Sequence, residues 1–127
     1  MNKFDKNIVV LVSNSQLDIM ATQANGFWEN SKNARDINEG DIVFIKPNLT
    51  ELKKYGNNAK IIRGVVSKLK CDIPGVGNWP SGHTMNNGCR IELEDMELIN
   101  YSHVAPLLDN LGQNASGIYY LKLTKQN

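Results

Sequence analysis

The sequence contains few of the residues on which several protein classes depend. Cysteine occurs only at Cys71 and Cys89, with no CxxC or Cys/His spacing, which rules out a disulfide framework and a cysteine-based zinc finger on sequence grounds. No apolar run approaches the ~20 residues that a membrane-spanning helix needs. The opening residues, MNKFD, lack the apolar core of a signal peptide. From these absences we expect a cytoplasmic protein with no membrane partner.

Signatures of catalysis are equally scarce. The sequence has no P-loop, GxGxxG or GxSxG motif, and no HxxxH, HxE or DxD spacing accompanies His83 or His103. His103 fits a structural position in the first turn of a helix, whereas a ligand contact by His83, in a glycine-rich segment, stays open. Glu92 and Glu94 alternate onto one face of a strand, which fits a solvated face better than a pair of catalytic carboxylates. We therefore expect no enzyme, no cofactor and no metal site.

The length of 127 residues suits one domain covering residues 1–127, and the formal net charge is only +1. The charges are nevertheless segregated along the chain. The basic residues between positions 46 and 70 are Lys46, Lys53, Lys54, Lys60, Arg63, Lys68 and Lys70, opposed there by Glu51. The acidic residues between positions 91 and 109 are Glu92, Glu94, Asp95, Glu97 and Asp109. The basic segment either forms a patch that holds phosphates or merely solvates the outside of a strand and a loop.

Apolar patterns and turn residues predict alternating strands and helices. Strands are expected at residues 7–13, 42–45, 59–69, 90–99 and 117–123, and helices at 16–25, 49–55 and 103–111, the last one between Ser102 and Gly112. One or two helical turns are expected within residues 30–37, after a short connection that holds Phe27 and Trp28. Residues 70–88 read as a long irregular loop.

Two details refine this prediction. The alternation of the 90–99 strand slips by one residue at Glu94 and Asp95, as it does at a β-bulge. Gly64 inside its strand indicates another bulge or the close approach of a second chain segment. The order of elements predicts an α+β fold, a small curved β-sheet or open barrel flanked by helices.

Both tryptophans lie outside the apolar runs that would build the core. Trp28 stands in the segment NGFWENS and Trp79 in GVGNWPS. Two indole rings on facing loops can sandwich a flat heterocycle, and the neighbouring asparagine and serine side chains suit the edge of a base. Trp28 alone can equally be a hydrophobic lid on the sheet, and Phe27 is expected to point into the core.

Five stretches of the sequence together match the pattern of one family. The first strand ends at Ser13-Asn14 and enters a helix. The segment GFWENSKNAR at residues 26–35 carries Trp28, EGDIVF at 39–44 opens a strand, RGVV at 63–66 places a glycine within a strand, and Trp79 precedes RIEL at 90–93. With these features the chain resembles the YTH and EVE domains of the PUA-like superfamily over most of its length. In order, they are similar to the family's first strand and helix, the stretch that carries a pocket tryptophan, the opening of an EVE strand, the glycine-bearing strand and the second pocket tryptophan.

This resemblance implies a PUA-like fold that binds a modified base, such as N6-methyladenine or 5-methylcytosine, flipped out of DNA or presented by RNA. YTH domains bind N6-methyladenine in RNA, and related modules in modification-dependent restriction systems bind methylated bases flipped from DNA, so a restriction nuclease or NTPase assembly is an implied partner. The implied base contacts are Trp28, Trp79, Ser13, Asn14, Asn30 and Ser31. The implied contacts with the nucleic-acid backbone are Lys32, Lys46, Arg63 and Lys68.

Two alternatives stay open at this point. One is an RNA-binding PUA-like protein with no selectivity for methylation. The other is a small amidohydrolase of the related ASCH group, which needs a lysine, a threonine and a glutamate in the pocket, with Lys32 and Glu92 as the candidates.

Overall fold

The computed structural model of the protein describes residues 6–31, 34, 36–108 and 119–123. In chain order, the elements are β1 (Lys6–Ser13), α1 (Gln16–Asn25), β2 (Phe27–Asn30), β3 (Ile42–Pro47), α2 (Leu49–Tyr55), a 3₁₀ turn (Gly56–Asn58), β4 (Lys60–Ile73), β5 (Gly88–Asn100), α3 (Tyr101–Leu108) and β6 (Tyr119–Leu123). These elements confirm the α+β class. Within the described part of the chain, no helix has the length and apolar character needed to cross a membrane.

Six strands form one mixed sheet in the order β2-β5-β4-β3-β1-β6. β1 and β3 run parallel, and every other neighbouring pair is antiparallel. The sheet is open, with β2 and β6 at its edges. A flat sheet would hold β1 and β2 about 19 Å apart at the usual strand spacing. Residues from both strands nevertheless line one cleft, so the sheet bends strongly between them.

The β-branched run of β1 is buried on both faces, as its composition predicts. Val9 and Leu11 belong to the main core, together with apolar residues of β3, β4, β5 and α1. Ile8 and Val10 belong to a second cluster on the opposite face, which includes Leu108 from α3. Burial of these side chains, at roughly 1.5–3 kcal/mol each, makes β1 and its partners the stable centre of the fold.

β4 and β5 form a long antiparallel pair whose register shifts at the predicted bulge. Arg63 pairs with Glu97 and Val65 with Glu94, so β5 holds one more residue than β4 in this interval. Asp95 lies there at φ 53°, a left-handed conformation that a bulge accommodates. The expected close approach at Gly64 is also present, since a Cβ atom there would lie 3.3 Å from the Cβ of Leu93.

Three predictions about the elements need correction. Phe27 and Trp28 lie in strand β2, not in a connection, because they pair with Glu92 and Ile91 of β5. The irregular loop covers residues 74–87, since β4 continues to Ile73. The described residues of the 30–37 segment contain no helix. The predicted residues 109–111, Gly112 and 117–118 lie outside the described residues.

The two cysteines form a disulfide, which their spacing did not suggest. Cys71 of β4 and Cys89 of β5 are direct cross-strand partners, so their Cα atoms lie 4.0 Å apart. The expectation from cysteine spacing is therefore wrong on this point. The bond joins the two strands at the base of the 74–87 loop.

Candidate binding cleft

A cleft of about 340 Å³ opens where the end of β1, the start of α1, β2 and the 74–87 loop meet. Its lining combines one aromatic ring with many amide, hydroxyl and carboxylate groups. The lining residues are Val12, Ser13, Asn14, Asp18, Trp28, Glu29, Asn30, Ser31, Asn48 and His83. Five of the six residues predicted to contact a base are therefore brought together from two segments of the chain.

The turn between β1 and α1 places Ser13 and Asn14 at the cleft. Ser15 caps α1 by accepting a hydrogen bond from the backbone N–H of Asp18 at 3.3 Å. Ser13 is buried, and its hydroxyl oxygen accepts a hydrogen bond from the N–H of Ser15 at 3.1 Å. The backbone N–H of Asn48 donates to the carbonyl of Ser13 at 2.8 Å. This local network fixes the strand end, while Asn14 stays exposed at the mouth.

Helix α1 is anchored to the sheet by a buried amide. The Gln16 side chain is 1% exposed; its Nε2 donates to the Lys60 carbonyl at 3.0 Å, and its Oε1 accepts from the Lys60 N–H at 2.7 Å. Glu51 adds a carboxylate at the same helix end, accepting from the Gln16 N–H at 2.8 Å. The wall of the cleft that α1 contributes is therefore rigidly attached to β4 and α2.

Glu29 holds the 74–87 loop against β2. This carboxylate is 2% exposed and accepts hydrogen bonds from the N–H groups of Val76 at 2.7 Å and Gly77 at 3.0 Å, and from Trp79 Nε1 at 2.9 Å. Arg90 Nε lies 3.7 Å from Glu29 Oε2. Burial alone would raise the pKa of Glu29, but these three hydrogen bonds and the Arg90 charge together lower it below 4.5.

Asp18 holds the same loop at a second point. Its carboxylate is 3% exposed and accepts from the Ser81 N–H at 2.9 Å and from the Ser81 hydroxyl at 2.6 Å. The backbone N–H of His83 in turn donates to the Ser81 hydroxyl oxygen at 3.2 Å. His83 Nε2 lies 3.5 Å from the Ser31 hydroxyl, so the two side chains meet across the mouth of the cleft.

The sandwich of two indole rings is wrong. The centroids of Trp28 and Trp79 lie 5.2 Å apart, with 66° between the ring planes. A base between them would need parallel rings about 7 Å apart, twice the carbon contact distance. Trp79 is 8% exposed, belongs to the main core, and is absent from the cleft lining. Its indole N–H donates to Glu29, and in the described part of the chain the cleft has one aromatic wall, Trp28.

The four basic residues predicted to contact the nucleic-acid backbone lie in different surroundings. Lys46 needs correction as a phosphate ligand, because it is 4% exposed and its ammonium group lies 5.5 Å from the ring centroid of Tyr101. Arg63 is half-buried opposite Glu97, and Lys68 is exposed opposite Glu92. Phosphate binding by Arg63 and Lys68 stays a prediction. Lys32 lies outside the described residues.

Sequence reasoning missed the two carboxylates that build the cleft, Asp18 and Glu29. Nothing in the sequence distinguishes them from solvated acids, since their partners, which are backbone and side-chain donors of the 74–87 loop, lie 47 to 63 residues away along the chain. The one feature of the sequence that indicates tight packing of this loop against the cleft wall is its glycine content. A Cβ atom at Gly77 would lie 2.6 Å from Trp79 Nε1, so only glycine permits the close packing there.

Glu92, the glutamate of the amidohydrolase hypothesis, does not lie at the cleft, and Lys32 is outside the described residues. The Glu92 carboxylate lies 3.7 Å from the ammonium group of Lys70. Among the residues that the structure describes, no group of three or more histidine, cysteine, aspartate or glutamate side chains is placed to hold a metal ion.

The chain matches no protein-family model, and comparisons with curated proteins and with solved structures find no match either. A functional assignment therefore depends on the geometry and chemistry of the cleft.

Proposed function

We propose that the protein is a binding module that takes one nucleobase, flipped out of a nucleic acid, into this cleft. The observation that carries the proposal is the convergence of five sequence-predicted base contacts in one cavity. They come from the β1–α1 turn and from β2, and they are Ser13, Asn14, Trp28, Asn30 and Ser31. A PUA-like fold of the YTH or EVE type belongs to the same proposal, and the strongly bent mixed sheet supports it.

The size of the cleft favours a single flat group. Ligand sites in proteins span ~300–1,000 Å³, and this cleft, at about 340 Å³, is near the lower limit. A volume of this size suits one ring system rather than a chain of sugars or a dinucleotide. Withdrawing one base from a stack costs a few kcal/mol, which contacts within the cleft must offset.

The chemistry of the lining favours an uncharged guest. The carboxylates of Asp18 and Glu29 are engaged by the loop. The remaining polar groups, apart from the His83 imidazole, are neutral amides and hydroxyls, which act both as donors and as acceptors. Such groups match the mixed edge of a base, and the described lining residues include no lysine or arginine that could pair with a phosphate.

A methyl group on the base is expected to improve binding only moderately. Burial of one methyl group against an apolar wall contributes ~0.8 kcal/mol, about a fourfold gain in affinity. Among the residues that the structure describes, Trp28 is the one aromatic wall of the cleft, so the larger gain of a full aromatic cage is not expected. We propose DNA as the polymer and a modification-dependent restriction assembly as the biological setting, following the family resemblance.

A binding screen tests the proposal. Single-stranded DNA probes would each carry one N6-methyladenine, 5-methylcytosine or 5-hydroxymethylcytosine, with unmodified DNA and matched RNA as controls at one stated salt concentration. We expect one modified probe to bind about fourfold more tightly than its parent. Equal binding of modified and unmodified probes supports the alternative, a PUA-like protein without methyl selectivity. No binding to any probe overturns the proposal.

A variant at the mouth of the cleft links binding to this site. Asn14→Ala is suitable because Asn14 is exposed and lines the cleft. Loss of one hydrogen bond, at about 0.5–1.5 kcal/mol, predicts about a 2- to 10-fold weaker affinity by titration calorimetry. Asn57→Ala, in the exposed 3₁₀ turn away from the cleft, is the matched control and should bind normally. Trp28→Ala is a poor test, because removing a core ring destabilises a fold by ~3–5 kcal/mol.

A further inference from the structure

The two indole N–H groups have different surroundings, although the rings touch. Trp79 Nε1 donates to Glu29 Oε1 at 2.9 Å. Trp28 Nε1 is buried and has no hydrogen-bond partner among the described residues. Buried donors in folded proteins are almost always paired, because an unpaired one has lost its hydration without compensation. The Trp28 N–H therefore requires an explanation that the packing of the chain does not supply.

A guest in the cleft is the candidate acceptor, because Trp28 is one of the cleft-lining residues. Elsewhere the Trp28 ring contacts Trp79, and its backbone pairs with Ile91 of β5. The exposed fraction of Trp28 is only 7%, which leaves little of the ring face for stacking a base. We infer that Trp28 acts chiefly as a specificity-determining hydrogen-bond donor, and that the guest must present an acceptor atom, a carbonyl oxygen or ring nitrogen, at its buried edge.

This role follows from what an indole can and cannot do. The amide and hydroxyl groups at Asn14, Asn30 and Ser31 can each donate or accept, so they adapt to either polarity. An indole N–H only donates. A guest that places its own N–H or amino group at that point leaves two buried donors facing each other, and sites of this kind reject such analogues strongly. This inference rests on the proposed function, and it adds that the buried edge of the base must carry a hydrogen-bond acceptor opposite Trp28.

NMR spectroscopy of the full chain tests the inference directly. A ¹H–¹⁵N spectrum shows one indole signal from each tryptophan, and Trp79→Phe assigns the pair. The probes are N6-methyl-2′-deoxyadenosine and 5-methyl-2′-deoxycytidine, with their unmodified parents. On binding, the Trp28 indole signal should move downfield, as a newly formed hydrogen bond requires. The Trp79 signal should change little, because its acceptor is already Glu29.

The outcomes separate the two proposals. Movement of the Trp28 indole signal together with the backbone signals of Asn14 and Ser31 supports both. Movement of the backbone signals alone overturns the inference and leaves the proposed function standing. If no signal moves with any nucleoside at saturating concentration, the cleft does not take a base, and both are overturned.

A second experiment combines changes in the nucleoside with a change in Trp28. For an adenine guest, the 1-deaza, 3-deaza and 7-deaza analogues each remove one ring nitrogen. One of them should bind about 2- to 10-fold more weakly to the wild-type protein, the range expected for one hydrogen bond. Trp28→Phe keeps an aromatic ring without the N–H, and it should bind this analogue and the parent equally. If Trp28→Phe still binds the analogue more weakly than the parent nucleoside, a group other than the Trp28 N–H contacts that ring nitrogen, and the inference is overturned. If this variant does not fold, the NMR spectra of the wild-type protein test the inference instead.

Discussion

The hydrogen bonds at Glu29 predict a large effect from a small substitution. In Glu29→Gln, the new amide has only one acceptor oxygen, so it cannot accept hydrogen bonds from all the donors that face the two carboxylate oxygens. Oε1 accepts from Gly77 and Trp79, while Oε2 accepts from Val76 and faces Arg90. Either orientation of the new amide points an NH₂ group at existing donors. We expect the loss of one charge-assisted hydrogen bond and an uncompensated Arg90, a cost of about 3 kcal/mol in the free energy of unfolding.

Urea and thermal unfolding at neutral pH measure this cost. For a chain of this length, about 3 kcal/mol lowers the melting temperature by roughly 12 °C. Glu94→Gln, an exposed carboxylate on β5, is the matched control and should change the unfolding free energy by less than about 0.5 kcal/mol. If Glu29→Gln is as stable as this control, the carboxylate does not hold the loop and the account of the cleft wall is wrong.

The pH dependence provides a second, independent check on Glu29. Its pKa is lower in the folded protein than the ordinary value of 4.5, so the unfolded chain binds the proton more readily. The stabilisation is therefore complete above pH 4.5 and disappears as the pH falls through the lowered value. The difference in unfolding free energy between wild type and Glu29→Gln should narrow below about pH 4.5. A difference that stays constant down to about pH 2 contradicts the ionised carboxylate as its source.

Two further predictions concern the same loop. Asp18→Asn should lower the free energy of unfolding in urea by only about 1 kcal/mol, because the Ser81 hydroxyl can rotate and accept a hydrogen bond from the new NH₂ group. Hydrogen exchange at the Ser81 amide should become faster. A loss of stability as large as that of Glu29→Gln would contradict this reasoning. Cys71→Ser should cost about 3 kcal/mol through loss of the bond to Cys89. Reductant should lower the unfolding free energy of the wild type by a similar amount and leave that of Cys71→Ser unchanged. If reductant does not change the stability of the wild type, the disulfide does not contribute to it.

The strands and caps of the fold were predictable because their signals are local. The apolar run of β1 needs no partner to be recognised, and neither does the slip in alternation at Asp95. Asn25-Gly26 is a local signal as well, since Gly26 ends α1 at φ 84°, which favours glycine. The α+β class follows from the order of such elements.

β2 escaped prediction because its pattern comes from its neighbours. Trp28 and Glu29 are adjacent and both buried, so the strand lacks the alternation that marks a half-buried one. Its register depends on β5, some 60 residues away, and its burial depends on the loop that Glu29 itself holds. The disulfide was missed for the same reason, since Cys71 and Cys89 become neighbours only after β4 and β5 are paired.

The folded structure changes how the charge pattern of the sequence is interpreted. The basic and acidic segments are distinct in the sequence, but a large part of each lies in the paired strands β4 and β5. Arg63 lies opposite Glu97, and Lys70 Nζ lies 3.7 Å from a carboxylate oxygen of Glu92. Cross-strand partners of opposite sign reduce the potential that each strand would present alone.

Under the proposed function, the pairing of these strands makes the cleft the main determinant of recognition. Phosphate contacts confer affinity without sequence information, whereas contacts with base edges confer specificity. In the described part of the chain, β4 and β5 largely neutralise each other, and the cleft lining is mostly neutral. A module built in this way is suited to distinguishing one base from another more than to holding the polymer tightly. That is why the polarity of the buried edge matters more to the proposed function than the number of lysines, and with it the N–H of Trp28, which has no partner among the described residues.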